Sequence, residues 1–294
     1  MKLKDIKDVL TFASFRPEPD DTTAGWPKRF PRERTLMLNI TKTGVSWVGM
    51  ERGLKIGDSG SLEGAVKDVA GQVGEEWKSL TDNGWSAVSL STRYVISLES
   101  NLSRRKGAEE QIRTNPKIAL GAKAERGKRY SVAHNSESNT SVLLAVEEDL
   151  VKRIETSLDS AGLKVGRVSC GPFSMLTDLI EQVAEARAAQ KEGEGLGPIV
   201  MVACCQGSVV ALTQQGDSWT ELRSRTDAYE GSDATPVLGI IQPLIENAGD
   251  GTHVVFMGDE PGLPLPALLQ ERLPNVRVSD VSVENQLWKK LADL

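Results

Sequence analysis

Side chains suited to nucleophilic, acid–base or metal chemistry are scarce in this 294-residue chain, which holds two histidines and three cysteines. Structural zinc takes four tetrahedral nitrogen, sulfur or oxygen ligands, and no Cys/His spacing here supplies them. Cys204 and Cys205 are adjacent in an apolar, strand-like run and Cys170 stands alone. An odd set without framework spacing reads as reduced, buried thiols, and nothing nearby offers the electropositive setting of a reactive thiolate. His253 opens an apolar run and reads as a packed or hydrogen-bonded residue rather than a base. His134 falls in the polar stretch His134-Asn135-Ser136. A G-x-S-x-G elbow, a Walker A loop and a strand-borne GxGxxG are missing. Carboxylates are plentiful but form no recognisable dyad.

The bulk numbers narrow the class. Hydrophobic residues make up 39% and charged residues 26% of the chain, as in ordinary globular proteins. A net charge of −6 argues against a nucleic-acid partner. No apolar run reaches the ~18 residues a membrane span needs. The opening MKLKDIKDVLTF has no signal-peptide core, so a cytoplasmic location is expected. The cluster Arg104-Arg105-Lys106 reads as a solvated face. Trp47, Trp85 and Trp219 fall in strand patterns and read as core.

Residues 1–34 form an arm. Leu3, Ile6, Leu10 and Ala13 sit at helical spacing, and Pro17, Pro19, Pro27 and Pro31 then impose an extended segment in which Trp26 is a candidate docking anchor. From Thr35 the period changes to that of strands. Leu36, Leu38 and Ile40 alternate, Thr41-Lys42-Thr43-Gly44 makes a turn, and Val45, Trp47 and Val48 resume. A third strand is expected over Gly53–Ile56, a helix over Leu62–Leu80, and strands over Trp85–Leu90 and Tyr94–Leu98. A helix and loop are expected between Leu102 and Tyr130, a turn-rich hairpin over Ser131–Asn139, and a buried strand over Ser141–Val146. A helix over Glu147–Ser160 should stop at Gly162, a strand cover Val165–Val168, and Pro172 open a helix to about Gln190.

Lys191 to Pro198, with glycine at 193, 195 and 197, marks a boundary. The opening pattern then returns. A strand over Ile199–Cys204, the turn Cys205-Gln206-Gly207-Ser208, and strands over Val209–Thr213 and Trp219–Arg225 are expected. A helix over Val237–Asn247, a strand over His253–Met257 and a helix over Pro264–Leu273 follow. A short strand over Val276–Val278 and a helix over Val283–Leu294 close the chain. Two halves therefore open with a three-strand meander and continue by alternating strands and helices, a duplicated α/β plan.

This order resembles the actin-like ATPase superfamily, and in particular the PilM-type cytoplasmic proteins of type IV pilus machines. The related cytoplasmic part of the type II secretion L-protein is close behind. The run from Ser141 to Leu176 carries most of the likeness. It is similar to the family's strand, helix, "AGL" turn (here Ala161-Gly162-Leu163), strand and "EP-F-ALL" helix start (here Gly171-Pro172-Phe173-Ser174-Met175-Leu176). The resemblance implies a two-lobed, ribonuclease H-like duplicated fold. Its parts are a first lobe at 35–195 with an inserted subdomain at about 98–140, and a second lobe at 196–294.

In active members each hairpin turn cradles phosphates through backbone N–H groups, which requires a glycine-permissive turn. An aspartate ending each first strand helps hold Mg²⁺ and the attacking water. Carried onto this chain, the first aspartate falls at Asn39, the second at Ala203, and the second turn's glycine at Cys205. The adenosine glycine pair becomes Gly258-Asp259, whose carboxylate would meet phosphates or crowd the base. Lys42, Thr43, Gly207, Ser208 and Gly258 are left to line a residual nucleotide cleft. The resemblance thus implies a pseudo-ATPase needing no cofactor, with ATP and Mg²⁺ left as an open alternative. As a scaffold it would bind the cytoplasmic N-terminal tail of a bitopic inner-membrane pilus protein, sit peripherally at that membrane, and self-associate through its arm. An active actin-like ATPase or small-molecule kinase with divergent motifs is the competing reading.

Overall fold

The computed structural model describes residues 34–41, 43–51, 54–64, 75–81, 84–101, 115, 117, 120–135, 140–189, 197–259 and 263–292. Residues 1–33 of the arm, Lys42, most of the charged stretch after 101, and the glycine-rich boundary at 191–196 lie outside them. In chain order come β1 (Thr35–Ile40), β2 (Gly44–Glu51), β3 (Leu54–Glu63), β4 (Trp85–Leu90), β5 (Val95–Asn101), β6 (Lys128–Asn135) and β7 (Thr140–Glu147). Helix α1 (Glu148–Ser160), β8 (Lys164–Cys170), α2 (Gly171–Ala188), β9 (Ile199–Cys205), β10 (Ser208–Gln215) and β11 (Ser218–Arg225) follow. The chain continues through α3 (Thr235–Ala248), β12 (His253–Gly258), α4 (Leu265–Arg272), β13 (Arg277–Asp280) and α5 (Gln286–Ala292).

Two five-stranded sheets have the same topology. One runs β3-β2-β1-β4-β8 and the other β11-β10-β9-β12-β13. In each, the first three strands form an antiparallel meander, and the meander's first strand continues into two parallel neighbours. The duplicated α/β plan expected from the sequence is the plan observed. The chain divides into two compact units, one centred on Pro172–Leu287 and the other holding the earlier strands, Ser141–Gly171 and Trp288 onward.

In the N-terminal unit β1 is buried along its whole length, because a central strand is covered on both faces. The serines of β4 are buried too, and Ser86 Oγ donates to the Lys164 carbonyl at 3.1 Å. A separate sheet runs β5-β7-β6. Helix α1 buries Leu150, Val151, Ile154 and Leu158 on one face. It ends as the sequence predicts. Gly162 takes φ +78°, its N–H bonds the Asp159 carbonyl, and the Leu163 N–H reaches back to Leu158 O at 2.8 Å, a Schellman ending. Arg129 on β6 is buried and forks onto both carboxylate oxygens of Glu155 at 3.0 and 3.2 Å. Buried Arg167 on β8 donates to the Leu291 carbonyl in the last turn of α5, where cations are favoured.

Three sequence expectations need correction here. Leu62 and Glu63 belong to β3, not to a helix, because β2 pairs Val45 with Leu62 and Gly44 with Glu63. Glu75–Leu80 is a 3-10 turn, and residues 65–74 of the expected helix lie outside the described set. Tyr94 closes a 3-10 turn at Thr92–Tyr94 rather than opening β5. Tyr130 lies buried within β6, which starts at Lys128, ahead of the expected hairpin.

In the second unit β9 is wholly buried. Around it Val200, Val202, Phe256, Ile241, Leu244 and Leu265 form the core. Helix α3 opens on an Asp233 carboxylate that accepts from Thr235 N–H at 2.9 Å, a bond that also lowers the Asp233 pKa. His253, at the start of β12, has Nε2 2.9 Å from Ser279 Oγ on β13.

Burial, and secondarily the charge of Arg277, lowers the His253 pKa from 6.5. Above that value the ring is neutral in both the folded and the unfolded chain, and it costs nothing. As pH falls through 6.5 the unfolded chain takes up a proton first, so folding loses stability until the folded ring also titrates. His253→Gln is therefore expected to lose less melting temperature than the parent between pH 7.5 and 5. Equal losses would remove His253 as a cause.

Candidate functional site

Ligands of α/β sheets collect beyond the carboxyl ends of the parallel strands. In the N-terminal unit those ends are Ile40, Leu90 and Cys170, and in the second unit Cys205, Gly258 and Asp280. The chemistry at each set decides what this chain can bind.

At the end of β1 the turn is bonded to itself and its neighbours. Thr41 N–H donates to the Gly44 carbonyl at 2.9 Å, and the Thr41 hydroxyl donates to the same oxygen at 3.1 Å. Thr43 N–H donates to Thr41 Oγ1 at 3.3 Å. The Thr43 carbonyl accepts from Gly64 N–H, and the Thr41 carbonyl accepts from the Tyr94 hydroxyl at 3.0 Å. Burial raises the Tyr94 pKa, outweighing the charge of Arg93, which keeps this phenol a donor. A Cβ at Gly44 would overlap the Leu62 carbonyl oxygen, so only glycine lets β3 lie this close. Asn39 is buried in β1 between its register partners Ser46 and Ser89. It brings an amide and no charge.

At the end of β9 the turn is tighter. Cys205 pairs with Ser208, leaving Gln206 at φ +47° and Gly207 at φ +74° as a two-residue turn of the I′ kind. The Gly207 carbonyl accepts from Ala228 N–H at 2.6 Å and from Tyr229 N–H at 3.4 Å. Ala203 is fully buried beside Val210 and Met257. Its methyl group offers a cation no oxygen.

The end of β12 is tied in the same way. Gly258 N–H donates to Ser282 Oγ at 2.8 Å, and Ser282 N–H and Oγ both bond Asp280 Oδ1. Asp259 N–H donates to the Cys204 carbonyl at 3.0 Å. The Asp259 carboxylate accepts from Leu287 N–H at 2.7 Å on Oδ1 and from the Cys205 thiol at 3.9 Å on Oδ2. The Asp259 carboxylate thus points toward the start of α5 and the end of β9.

Of the residues expected to line a cleft, Gly207 and Ser208 sit in the second turn and Gly258 in the strand beside it, paired with Cys204. Thr43 belongs to the first turn, and Lys42 lies outside the described residues. Tyr94, Thr41, Asp280 and Ser282 were not anticipated. The Thr-x-Thr and Asp-x-Ser spacings were the available signal, since such side chains bond backbone two residues away. Among the described residues no group of three or more His, Cys, Asp or Glu side chains could hold a metal ion.

No family model and no curated protein matches the chain. Solved structures do. The PilM–PilN type IV pilus biogenesis complex aligns with TM-score 0.53 and 15% identity over 88% of this chain and 90% of that one. A Bacteroides thetaiotaomicron protein of unknown function with an actin-like ATPase fold aligns at 0.51 and 10%, over 89% and 96%. The fold is actin-like. The cytoplasmic domain of EpsL, an inner-membrane component of the Vibrio cholerae type II secretion system, has TM-score 0.51 and 15% identity over 88% and 94%. Within this actin-like fold, both duplicated turns keep their place in the sheet. The side chains around them carry no carboxylate at Asn39 or Ala203.

Proposed function

We propose that this chain is a scaffold of a type IV pilus or related type II secretion assembly platform. It works on the cytoplasmic face of the inner membrane, binds the cytoplasmic N-terminal tail of a bitopic membrane partner, and does so without ATP hydrolysis. One observation carries the reading. Both meander-led sheets of the actin-like fold are present, yet Asn39 and Ala203 stand where the resemblance calls for metal-holding acids, and the Thr41 and Thr43 N–H groups of the first turn are bonded within that turn. Mg²⁺ favours hard, preferably anionic oxygens in octahedral array; the Asn39 amide offers only a neutral one and the Ala203 methyl none. Removing one group that positions metal or water commonly costs two to four orders of magnitude in rate.

The setting is supported by the pilus complex and the secretion-system domain among the fold's neighbours. Among the described residues no helix is long and apolar enough to cross a membrane, so attachment through a partner suits the chain. The test is fluorescence anisotropy with labelled peptides copied from the N-terminal tails of bitopic membrane proteins encoded beside this one. Saturable binding by one such peptide, absent for its scrambled version, is expected. No binding up to high micromolar protein would sink the proposal.

A further inference from the structure

One row of side chains across the first sheet is polar, although the row next to it, Val45, Ile40, Leu90 and Cys170, is apolar. Register sets Ser46 on β2 beside Asn39 on β1, Asn39 beside Ser89 on β4, and Ser89 beside Ser169 on β8. Side chains at paired positions share a face, so four polar groups line up across four strands. Ser46 is half-buried, Asn39 is buried, and Ser89 and Ser169 are sealed from solvent. The Ser89 and Ser169 hydroxyls have no hydrogen-bond partner within the protein. Ser86 on the same strand, by contrast, donates to the Lys164 carbonyl. A buried hydroxyl left unpaired costs stability, and here two such groups stand on adjacent strands.

We propose that Ser89 and Ser169 form a binding site for one internal water molecule, shared between their hydroxyls and integral to the folded N-terminal unit. The two side chains spring from strands ~4.8 Å apart. Two ~2.8 Å hydrogen bonds meeting at one water near the tetrahedral angle span ~4.6 Å, which matches that spacing. Water also suits the chemistry. It donates and accepts as a hydroxyl does, and buried waters serve such otherwise unpaired groups. A cation would leave both hydroxyl protons unpaired, and with no carboxylate in the row its charge would be uncompensated in the core. Asn39 fits the same neutral setting, because an amide donates and accepts without bringing a charge. The inference goes beyond the scaffold reading and does not depend on which partner binds.

Serine-to-alanine exchange tests this by sign and by coupling. If both hydroxyls hold the water, Ser89→Ala and Ser169→Ala should each melt about 2–4 °C below the parent. The double variant should lose less than the two single losses added, because the first deletion already weakens the water's hold on the second hydroxyl. A high-resolution crystal structure of the parent should show one water within ~3 Å of both Oγ atoms. Single variants that melt at or above the parent would overturn the proposal, since removing a truly unpaired hydroxyl relieves a cost. Strictly additive losses, or a parent crystal structure with no density between the two hydroxyls, would overturn it as well. A parent melting temperature that differs among lithium, sodium and potassium chloride at equal ionic strength, with no such difference in the double variant, would give the position to a cation instead. Should a variant fail to fold, the crystal structure of the parent decides alone. A failure here leaves tail binding untouched, and a failure of tail binding leaves the water site untouched.

Discussion

Replacing Trp77 by alanine is expected to lower the stability of the chain by about 3–5 kcal/mol, read as a shift in its urea midpoint. Trp77 is almost completely buried in the 3-10 turn before β4. Its ring lies 5.3 Å from that of Trp47 in a tilted pair. Trp47 in turn packs on Gly60, where an added Cβ would come 2.5 Å from the indole. Deleting one large ring leaves a cavity that this stack, laid over the paired strands β2 and β3, has little freedom to close. Phenylalanine should cost far less, about 1 kcal/mol. It keeps most of the ring and removes an indole N–H that is buried without a hydrogen-bond partner. A Trp77→Ala variant within 1 kcal/mol of the parent would contradict the assignment of Trp77 to the core.

Gly44→Ala is the second large effect, expected at about 3 kcal/mol and a melting temperature about 6–10 °C lower. The added methyl would overlap the Leu62 carbonyl oxygen and lie 3.1 Å from the Glu63 Cα. Both are main-chain atoms of the strand paired with Gly44, so no rotamer change relieves them. Gly239 supplies the opposite sign. It sits exposed in α3 with nothing within 4 Å of an added Cβ. Gly239→Ala should raise stability by about 0.5–1 kcal/mol through helix propensity. If both changes act in the same direction, local geometry is not what distinguishes the two sites.

The contrast between these glycines shows what the sequence could and could not reveal. The repeated meanders were legible, because alternation in Leu36, Leu38 and Ile40 and the apolar run Ile199–Cys205 have short periods and glycine-marked turns. The ending of α1 at Gly162 was legible for the same local reason. The length of β3 was not. Leu62 begins a plausible helical stripe, and only its pairing with Val45, made across the sheet, settles it as strand. The site was half legible. The family resemblance implies that Asn39 and Ala203 stand in place of the metal-holding aspartates. It does not show that Thr41 and Tyr94 consume the first turn's groups, or that Asp259 reaches Leu287, 28 residues onward. Contacts of that kind depend on tertiary placement and leave no periodic trace.

The scaffold proposal stands or falls most directly on phosphate release from Mg²⁺–ATP by the purified chain. The proposal predicts no release above a buffer blank at millimolar nucleotide, with or without the membrane partner's tail. Steady release proportional to protein concentration, and abolished by Asn39→Ala, would contradict it.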